Sequence, residues 1–412
     1  MKKHNRLMKR IIGISVCMMM LILSGCSTFD SFNQEFVDKS DNASEVVSIG
    51  VFEPLTGSDK TGAESEIRGI ELAHSMYPTI DGKKVELIYA DNRSDINVAE
   101  TAITDLIEQR PKLILGSYGD TNSLVASEYI DRAQIPSIAV TNTNPLITST
   151  SDYYFRICFV DTYQGTAFAK YVYYAKKAEK AAVMVDQSSE QYAAIAQKFV
   201  SVFTALSDSD EFAAETVTFE SGGKDYSEEL EKIRKLDVRY VFLPASQEDA
   251  EVIVSQAYAK KLDVEFLGVD SWNPDELVSS IGSVAASRVS LVKVSDIELA
   301  YSDSTQVQDF LECYASMYGD AQAPDSAVAL GFDAYMLAIK AIGEAGSDSS
   351  GTEIKDAVLA QKDFQGVSGT FSFDKSGNPQ KSVTIYTINP YTGESVPSWI
   401  IETDGQVTRV EN

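Results

Sequence analysis

Short apolar segments alternate with amphipathic segments along most of the chain, and this alternation constrains the fold more than any other feature. The apolar segments show no internal alternation of polarity, which is typical of strands buried on both faces. Such strands, separated by helices, predict a parallel sheet covered on both sides. In the first part of the chain the predicted strands are residues 46–52, 85–89, 113–115 and 137–140, and the predicted helices are residues 64–76, 97–108 and 121–133.

The same pattern then begins again, which predicts a second sheet of similar size. Because 412 residues are more than one hydrophobic core usually serves, we expect an α/β protein with two doubly wound, Rossmann-like lobes. Ligands of such sheets bind at the carboxyl ends of the strands, so the cleft between the lobes is the expected site. The further helices are residues 163–175, 191–206, 226–235, 249–260, 306–317 and 327–342, the further strands are residues 180–185, 215–219, 240–244 and 265–267, and short strands follow from Gly369.

The N-terminus has the organisation of an export signal. Five cationic residues and no acid precede residue 11, and the apolar run 11–23 is shorter than the roughly 20 residues that a membrane-spanning helix needs. We therefore predict a cleaved signal peptide over residues 1–25; an uncleaved short anchor is the alternative. Residues 26–45 are polar and lack periodicity, which predicts a flexible tether.

The end of that signal, Leu23-Ser24-Gly25-Cys26, resembles the lipobox of bacterial lipoproteins. The resemblance implies diacylglyceryl transfer to the thiol of Cys26 and cleavage before it. The mature protein would then be a lipid-anchored lipoprotein on the extracytoplasmic face of the cell membrane, as on a Gram-positive cell surface. An ordinary signal peptide with an incidental cysteine is the alternative.

Charge and composition exclude several functions. Removal of the five cations of the signal takes the formal net charge from −26 to −31, and so acidic a chain is not suited to nucleic acid or to anionic lipid head groups. Of the four cysteines, Cys158 and Cys313 remain after cleavage and lipidation; their apolar or amphipathic contexts favour two buried thiols over a bridge. With only His4 and His74 in the chain, histidine-based metal sites are not expected.

No catalytic motif is found. The chain has no Gly-x-Ser-x-Gly elbow, no Gly-rich phosphate loop with a lysine and no nucleophile–histidine pair, so neither catalysis nor a cofactor is predicted.

Several segments along the chain form a set with a fixed order and spacing. They are IGVFEPLTG at 49–57, RGIELA at 68–73, VELIYADN at 85–92 with SD at 94–95, IPSI at 135–138, TNTNP at 141–145, YFR at 154–156 with Asp161 and Gly165, FLGVDSW at 266–272 and GFDA at 331–334. Taken in order, they resemble the branched-chain (leucine/isoleucine/valine) amino-acid-binding proteins of ABC transporters, and the resemblance covers nearly all of residues 46–374.

The resemblance implies a type I periplasmic-binding-protein fold, with two lobes joined by a three-segment hinge that close on a small ligand. Lobe 1 would comprise residues 46–161 and 298–374, and lobe 2 residues 162–297 and 375–412. In Gram-positive bacteria such proteins are lipoproteins that deliver their ligand to ABC permease subunits, and we expect a monomer. A ligand sensor that reports to a membrane receptor is the main alternative, and an exported hydrolase is a remote one.

The resemblance also implies ligand contacts. Two first-lobe turns would hold the α-carboxylate of an amino acid, and a second-lobe acid, Asp270, would pair with the α-ammonium. Asp270 could instead cap a helix, and Trp272 could either stack on the ligand or pack the lobe. The predicted contacts are Tyr118, Gly119, Asp120, Thr121, Thr141, Asn142, Thr143, Gln191, Tyr192, Ser246, Asp270 and Trp272.

Three positions depart from the family pattern. Asp120 stands where Ser or Thr is common beside the carboxylate, and two anions there would repel each other; a one-residue shift would put Thr121 there, and Asp120 could also be a helix cap. Gln191 stands where a Tyr often packs on the ligand, although Tyr192 is adjacent, and Ser246 replaces a frequent aromatic residue. The ligand is therefore expected to be polar, cationic or not an amino acid.

Overall fold

The computed structural model describes residues 46–207, 214–293, 304–319, 323–402 and 405–410. The predicted signal peptide, the lipidated Cys26 and the tether lie outside these residues.

The first sheet has six strands in the order β2-β3-β1-β4-β5-β6. All neighbours are parallel except β2, which forms an antiparallel hairpin with β3. The four predicted strands are present, whereas β2 and β6 were not predicted because two or three residues carry too little pattern. The strands are β1 (Val46–Glu53), β2 (Thr79–Ile80), β3 (Lys83–Asp91), β4 (Leu113–Gly116), β5 (Ser137–Ala139) and β6 (Tyr154–Arg156).

Four helices connect these strands. The three longer ones were predicted, with first turns that begin one to four residues earlier than expected. They are α1 (Lys60–Met76), α2 (Ile96–Glu108), α3 (Asp120–Ala133) and α4 (Leu146–Ser149).

The parallel part of the second sheet repeats this arrangement with the strand order β11-β10-β9-β7-β8. The predicted helix over residues 163–175 is α-helical only in its first eight residues and continues as a π-helix over Tyr171–Ala175. The strands are β7 (Ala181–Asp186), β8 (Ala214–Phe219), β9 (Tyr240–Leu243), β10 (Glu265–Gly268) and β11 (Val289–Lys293), and the helices are α5 (Tyr163–Lys170), α6 (Glu190–Ser207), α7 (Ser227–Leu236), α8 (Gln247–Ala259), α9 (Pro274–Ile281) and α10 (Ser283–Ala286).

The chain then returns to the first lobe with three helices, α11 (Thr305–Tyr318), α12 (Ser326–Ala345) and α13 (Gly351–Leu359). By length and composition α12 could cross a membrane, but 72% of its apolar stretch is buried in the fold, as expected for a core helix. It packs directly on α1, because a Cβ on Gly69 would lie 2.0 Å from the Val328 carbonyl oxygen and one on Gly331 would lie 2.2 Å from that of Glu66. Only glycine permits this approach.

The C-terminal part forms short antiparallel strands. Three of them make a separate small sheet, and the last three extend the second sheet beyond β11, so that the second sheet has eight strands and is mixed rather than parallel. The strands are β12 (Phe364–Gly366), β13 (Gly369–Phe373), β14 (Pro379–Lys381), β15 (Val383–Ile388), β16 (Ser395–Ile401) and β17 (Val407–Arg409).

Two lobes follow from the way the buried residues cluster. Clusters on the two faces of the first sheet draw on residues 47–158 and 307–371, whereas the second-lobe cluster draws on residues 159–292 and 383–401. The chain therefore passes between the lobes three times, which agrees with the predicted three-segment hinge.

Candidate functional site

The polar side chains at the carboxyl ends of β4, β5 and β10 define the candidate site, because parallel strands end at the same edge of their sheet. A segment that crosses between the lobes links the two sides. The backbone N–H of Asp161 donates to the Thr143 carbonyl oxygen at 3.4 Å, and the side-chain amide of Gln191 on α6 donates to Asp161 Oδ2 at 2.7 Å. Gln191, which is one of the predicted ligand contacts, is thus hydrogen-bonded to the crossing segment in the structure.

Asp120 is the first residue of α3 and does not cap it. The N-cap is Gly119, with a φ of +87° and no side-chain bond. The Asp120 carboxylate instead accepts hydrogen bonds from the Asn142 side chain and the Asn144 N–H, and burial, reinforced by the charge of Asp161, raises its pKa. Within the described parts of the chain, its Oδ1 is buried without a hydrogen-bond partner. The capping explanation is therefore not what the structure shows.

The neighbours of Asp120 differ in exposure. Thr121, its alternative in the alignment, is exposed to solvent. Tyr118 is partly buried and lies against α1, since a Cβ on Gly62 would lie 2.2 Å from its ring. The backbone N–H of Tyr118 donates to Glu53 Oε2 at 2.7 Å.

Two fully buried acids, Glu53 at the end of β1 and Glu66 on α1, lie beneath the first-lobe turns. Each carboxyl group interacts with the other, and two buried carboxyl groups this close favour a shared proton over two negative charges. Burial raises the pKa of Glu66 to about 7 and that of Glu53 well above its usual range. The hydroxyl of Thr141 donates to Glu66 Oε1, so this pair is joined to a predicted ligand contact.

A buried cation holds the turn that contains Thr141 and Asn142. Arg156, which is 0% exposed, donates from Nη1 to the Asn142 carbonyl oxygen at 2.7 Å and from Nη2 to that of Asn144 at 2.6 Å. Burial lowers the pKa of its guanidinium, and the charges of Asp120 and Asp161 oppose that shift. The guanidinium therefore fixes the backbone of this turn through hydrogen bonds to two of its carbonyl oxygens.

The second-lobe acid is held by an amide. Asp270 follows β10, its backbone N–H donates to Gln164 Oε1 at 2.9 Å, and Gln164 Nε2 donates to Asp270 Oδ1 at 2.8 Å. Burial, followed by the charge of Asp161, raises the pKa of Asp270 to about 6. The following helix is capped by Asn273, so Asp270 is not a helix cap.

Trp272 and Ser246 have structural partners instead. Trp272 is 4% exposed and its indole N–H donates to the Ala245 carbonyl oxygen at 2.8 Å, so it packs the lobe rather than forming an open wall. Ser246 is the N-cap of α8 and accepts the Asp249 N–H at 3.2 Å. Tyr192 is half-buried, with Ser271 as a hydrogen-bond partner.

Four residues of this region were not among the predicted contacts, namely Glu53, Glu66, Arg156 and Gln164. The available signal was charge in an apolar context. Glu53 ends an apolar strand and Arg156 lies in a similarly buried one. Gln164 gave no signal, because its partner Asp270 is 106 positions away.

No group of three or more His, Cys, Asp or Glu side chains in the described ranges is arranged to hold a metal ion. Neither Cys158 nor Cys313 forms a disulfide bond; Cys158 is buried, whereas Cys313 is partly exposed. The expected burial is therefore found for Cys158 and only in part for Cys313.

Fold and cleft together define a two-lobed solute-binding protein of the extracytoplasmic type. The model of the periplasmic binding protein family matches residues 46–394, and the chain belongs to that family. Its members are substrate-binding proteins of ABC transporters and not enzymes, as the sequence analysis predicted.

Known proteins agree with this assignment. A Leu/Ile/Val-binding protein homologue of Brucella abortus is 22% identical over 91% of this chain and 95% of its own. A leucine-binding protein of Thermotoga maritima is 27% identical, with a TM-score of 0.65 over 87% of this chain and 99% of its own. A substrate-binding protein of a branched-chain amino-acid transporter from Streptococcus pneumoniae, solved with isoleucine, is 26% identical, with a TM-score of 0.62 over 86% of this chain and 100% of its own.

Proposed function

We propose that this protein is the solute-binding lipoprotein of an ABC importer and binds an amino acid or a similar small polar ligand in the interlobe cleft. The observation that carries the proposal is the placement of Asp270. It follows β10, interacts electrostatically with Asp161 on the crossing segment, is held by Gln164, and has no capping role. A partly buried carboxylate fixed in this way suits a cationic group on a ligand in a closed cleft. The relatives that bind leucine or isoleucine support the same class of ligand.

Closure of the lobes around the ligand belongs to the proposal. The crossing segment at Asp161 contacts Thr143 in the first lobe and Gln191 in the second. Hinges of this kind need only a few residues that change their backbone angles. We place lobe 1 at residues 46–161 and 298–374, and lobe 2 at residues 162–297 and 375–412.

The anchor is proposed on sequence grounds. The lipid on Cys26, followed by the tether over residues 26–45, would keep the protein near its permease. After removal of the five cations of the signal from the chain's −26, the net charge of −31 gives it no attraction of its own to an anionic membrane. Replacement of Cys26 by serine is expected to move the protein from the detergent phase to the aqueous phase in a partition assay, and unchanged partitioning would refute the lipid anchor.

The ligand site can be tested by thermal shift with a panel of amino acids, polyamines and nucleosides. A ligand that binds the folded state raises the melting temperature by mass action. Asp270→Ala is expected to remove most of that rise, whereas Asp275→Ala, an exposed acid on the next helix, is expected to leave it unchanged. An equal rise in parent and Asp270→Ala would contradict the assigned site.

A further inference from the structure

The first-lobe turns present acceptors to the cleft. A threonine hydroxyl has a single hydrogen to donate, and that of Thr141 is donated to Glu66. Toward a ligand, Thr141 can therefore only accept. This is the reverse of what a bound carboxylate requires.

Three backbone donors of the same turns are already engaged. Ser117 N–H donates to Ser123 Oγ at 3.3 Å, Tyr118 N–H to Glu53 Oε2 at 2.7 Å, and the Asn144 N–H to the carboxylate of Asp120. These N–H groups would otherwise be the natural partners of a carboxylate at strand ends and helix starts.

Two buried acceptors beside them lack donors. Asn142 is 3% exposed; its Nδ2 donates to Ser123 Oγ at 3.2 Å, whereas its Oδ1 has no partner among the residues that the structure describes. Asp120 Oδ1 is in the same condition. Buried acceptors of this kind are normally satisfied, so a ligand with N–H donors would complete both.

The charge of the cleft points the same way. Asp161 interacts electrostatically with both Asp120 and Asp270, so the three carboxyl groups form a series from one lobe to the other. The nearby cation, Arg156, uses two of its nitrogens on backbone carbonyls and has only Nε without a partner in the described chain. One cation does not balance three acids, and a further positive charge in the cleft would be stabilised.

Resting on the proposed function, we infer that the ligand is an organic cation that directs N–H donors at both lobes and places no carboxylate against the first lobe. One donor group meets Asp120, Asn142 and Thr141, and the other meets Asp270. A free α-amino acid fits less well, because its carboxylate would face Asp120.

Four matched probes test the inference by calorimetric titration of the full protein. L-leucine carries both charges, L-leucinamide keeps the ammonium but has a neutral amide with N–H donors, 4-methylpentanoate keeps only the carboxylate, and 1,4-diaminobutane carries two ammonium groups. We expect leucinamide or diaminobutane to bind at least about tenfold more tightly than leucine, which corresponds to about 1.4 kcal/mol, and 4-methylpentanoate not to bind.

Variants locate the effect. Asp120→Ser restores the hydroxyl that the family commonly has. It is expected to weaken the binding of the two cations and to allow leucine to bind. Thr141→Val is expected to weaken the binding of the two cations without allowing leucine to bind. Asp105→Asn makes the same charge change at an exposed position on α2 and is expected to have no effect.

Each outcome decides the inference. Binding of leucine as tightly as leucinamide would overturn it while leaving the proposed function intact. If neither cation binds, the inference also fails, and the thermal-shift panel then decides separately whether the cleft binds a solute at all. An unchanged preference in Asp120→Ser would show that Asp120 does not select the ligand.

Discussion

The two faces of the cleft are supported by different kinds of side chain. On the first lobe, the turns of the candidate site rest on fully buried ionisable groups, Glu53, Glu66 and Arg156. On the second lobe, Asp270 is held by the neutral amide of Gln164. Substitution of a buried ionic group is strongly destabilising, because removal of one partner leaves the other as an uncompensated buried charge. The first face is therefore expected to be the rigid one, and the second the one that tolerates change.

The largest effect is expected at Arg156. Arg156→Met leaves the Asn142 and Asn144 carbonyls without their donor and should lower the free energy of unfolding by about 3–5 kcal/mol, the range for breaking a buried charged network. Urea denaturation measures the change. Arg132→Met, an exposed arginine on α3, is the control and should change stability little. A loss at Arg156 as small as at the control would remove the contrast between the faces.

Next comes the pH dependence of Glu66. Its pKa is raised from 4.5 to about 7 in the folded state, so between these values the folded protein keeps a proton that the unfolded chain releases. The contribution of Glu66 to stability therefore falls as pH rises through this window, by an amount on the order of 3 kcal/mol.

The measurement compares the parent with Glu66→Gln by urea denaturation at several pH values. Groups that do not interact with Glu66 contribute equally to both proteins, so the difference reports the titration of Glu66 together with its coupled partner Glu53. The free energy of unfolding of Glu66→Gln, relative to that of the parent, should be higher above pH 7 than at pH 4.5. If the difference is independent of pH, Glu66 does not titrate as the structure indicates.

A smaller effect is expected on the second face. Gln164→Leu removes both bonds to Asp270 and should lower the unfolding free energy by about 1–2 kcal/mol, as for a bond to a charged group. Since the Gln164 bond favours the charged carboxylate, the pKa of Asp270 should rise further, which NMR titration can follow. Gln109→Leu, at an exposed position, serves as the control. A fall in that pKa would contradict the assigned hydrogen bond.

The smallest effect is expected at Trp272. Trp272→Phe keeps an aromatic ring but removes the bond to the Ala245 carbonyl oxygen, which should lower stability by about 1 kcal/mol and leave ligand affinity nearly unchanged. A large loss of affinity with unchanged stability would instead make Trp272 a wall of the site.

The sequence predicted the architecture better than the chemistry of the cleft. Apolar strands and amphipathic helices are recognisable from the residues of each segment alone, so both doubly wound regions were predicted. The mixed character of the second sheet was missed because β11 and the last three strands meet only through the return of the chain.

The chemistry of the candidate site was less accessible to the sequence. The resemblance to the family indicated the turns with Asp120 and Thr141, but a single sequence cannot show what lies behind them. The bond between Thr141 and Glu66 spans 75 positions, and that between Gln164 and Asp270 spans 106. These distant partners decide whether a hydroxyl donates or accepts, and hence which ligand the cleft favours.

The most direct test of the account is to identify the molecule that the protein carries. The protein is purified from its own cells without denaturation, and small molecules released from it are identified by mass spectrometry alongside the Asp120→Ser and Asp270→Ala variants. The account predicts an organic cation with N–H donors at both ends, present with the parent and lost from Asp270→Ala. A branched-chain amino acid or another carboxylate, retained equally by all three proteins, would contradict it.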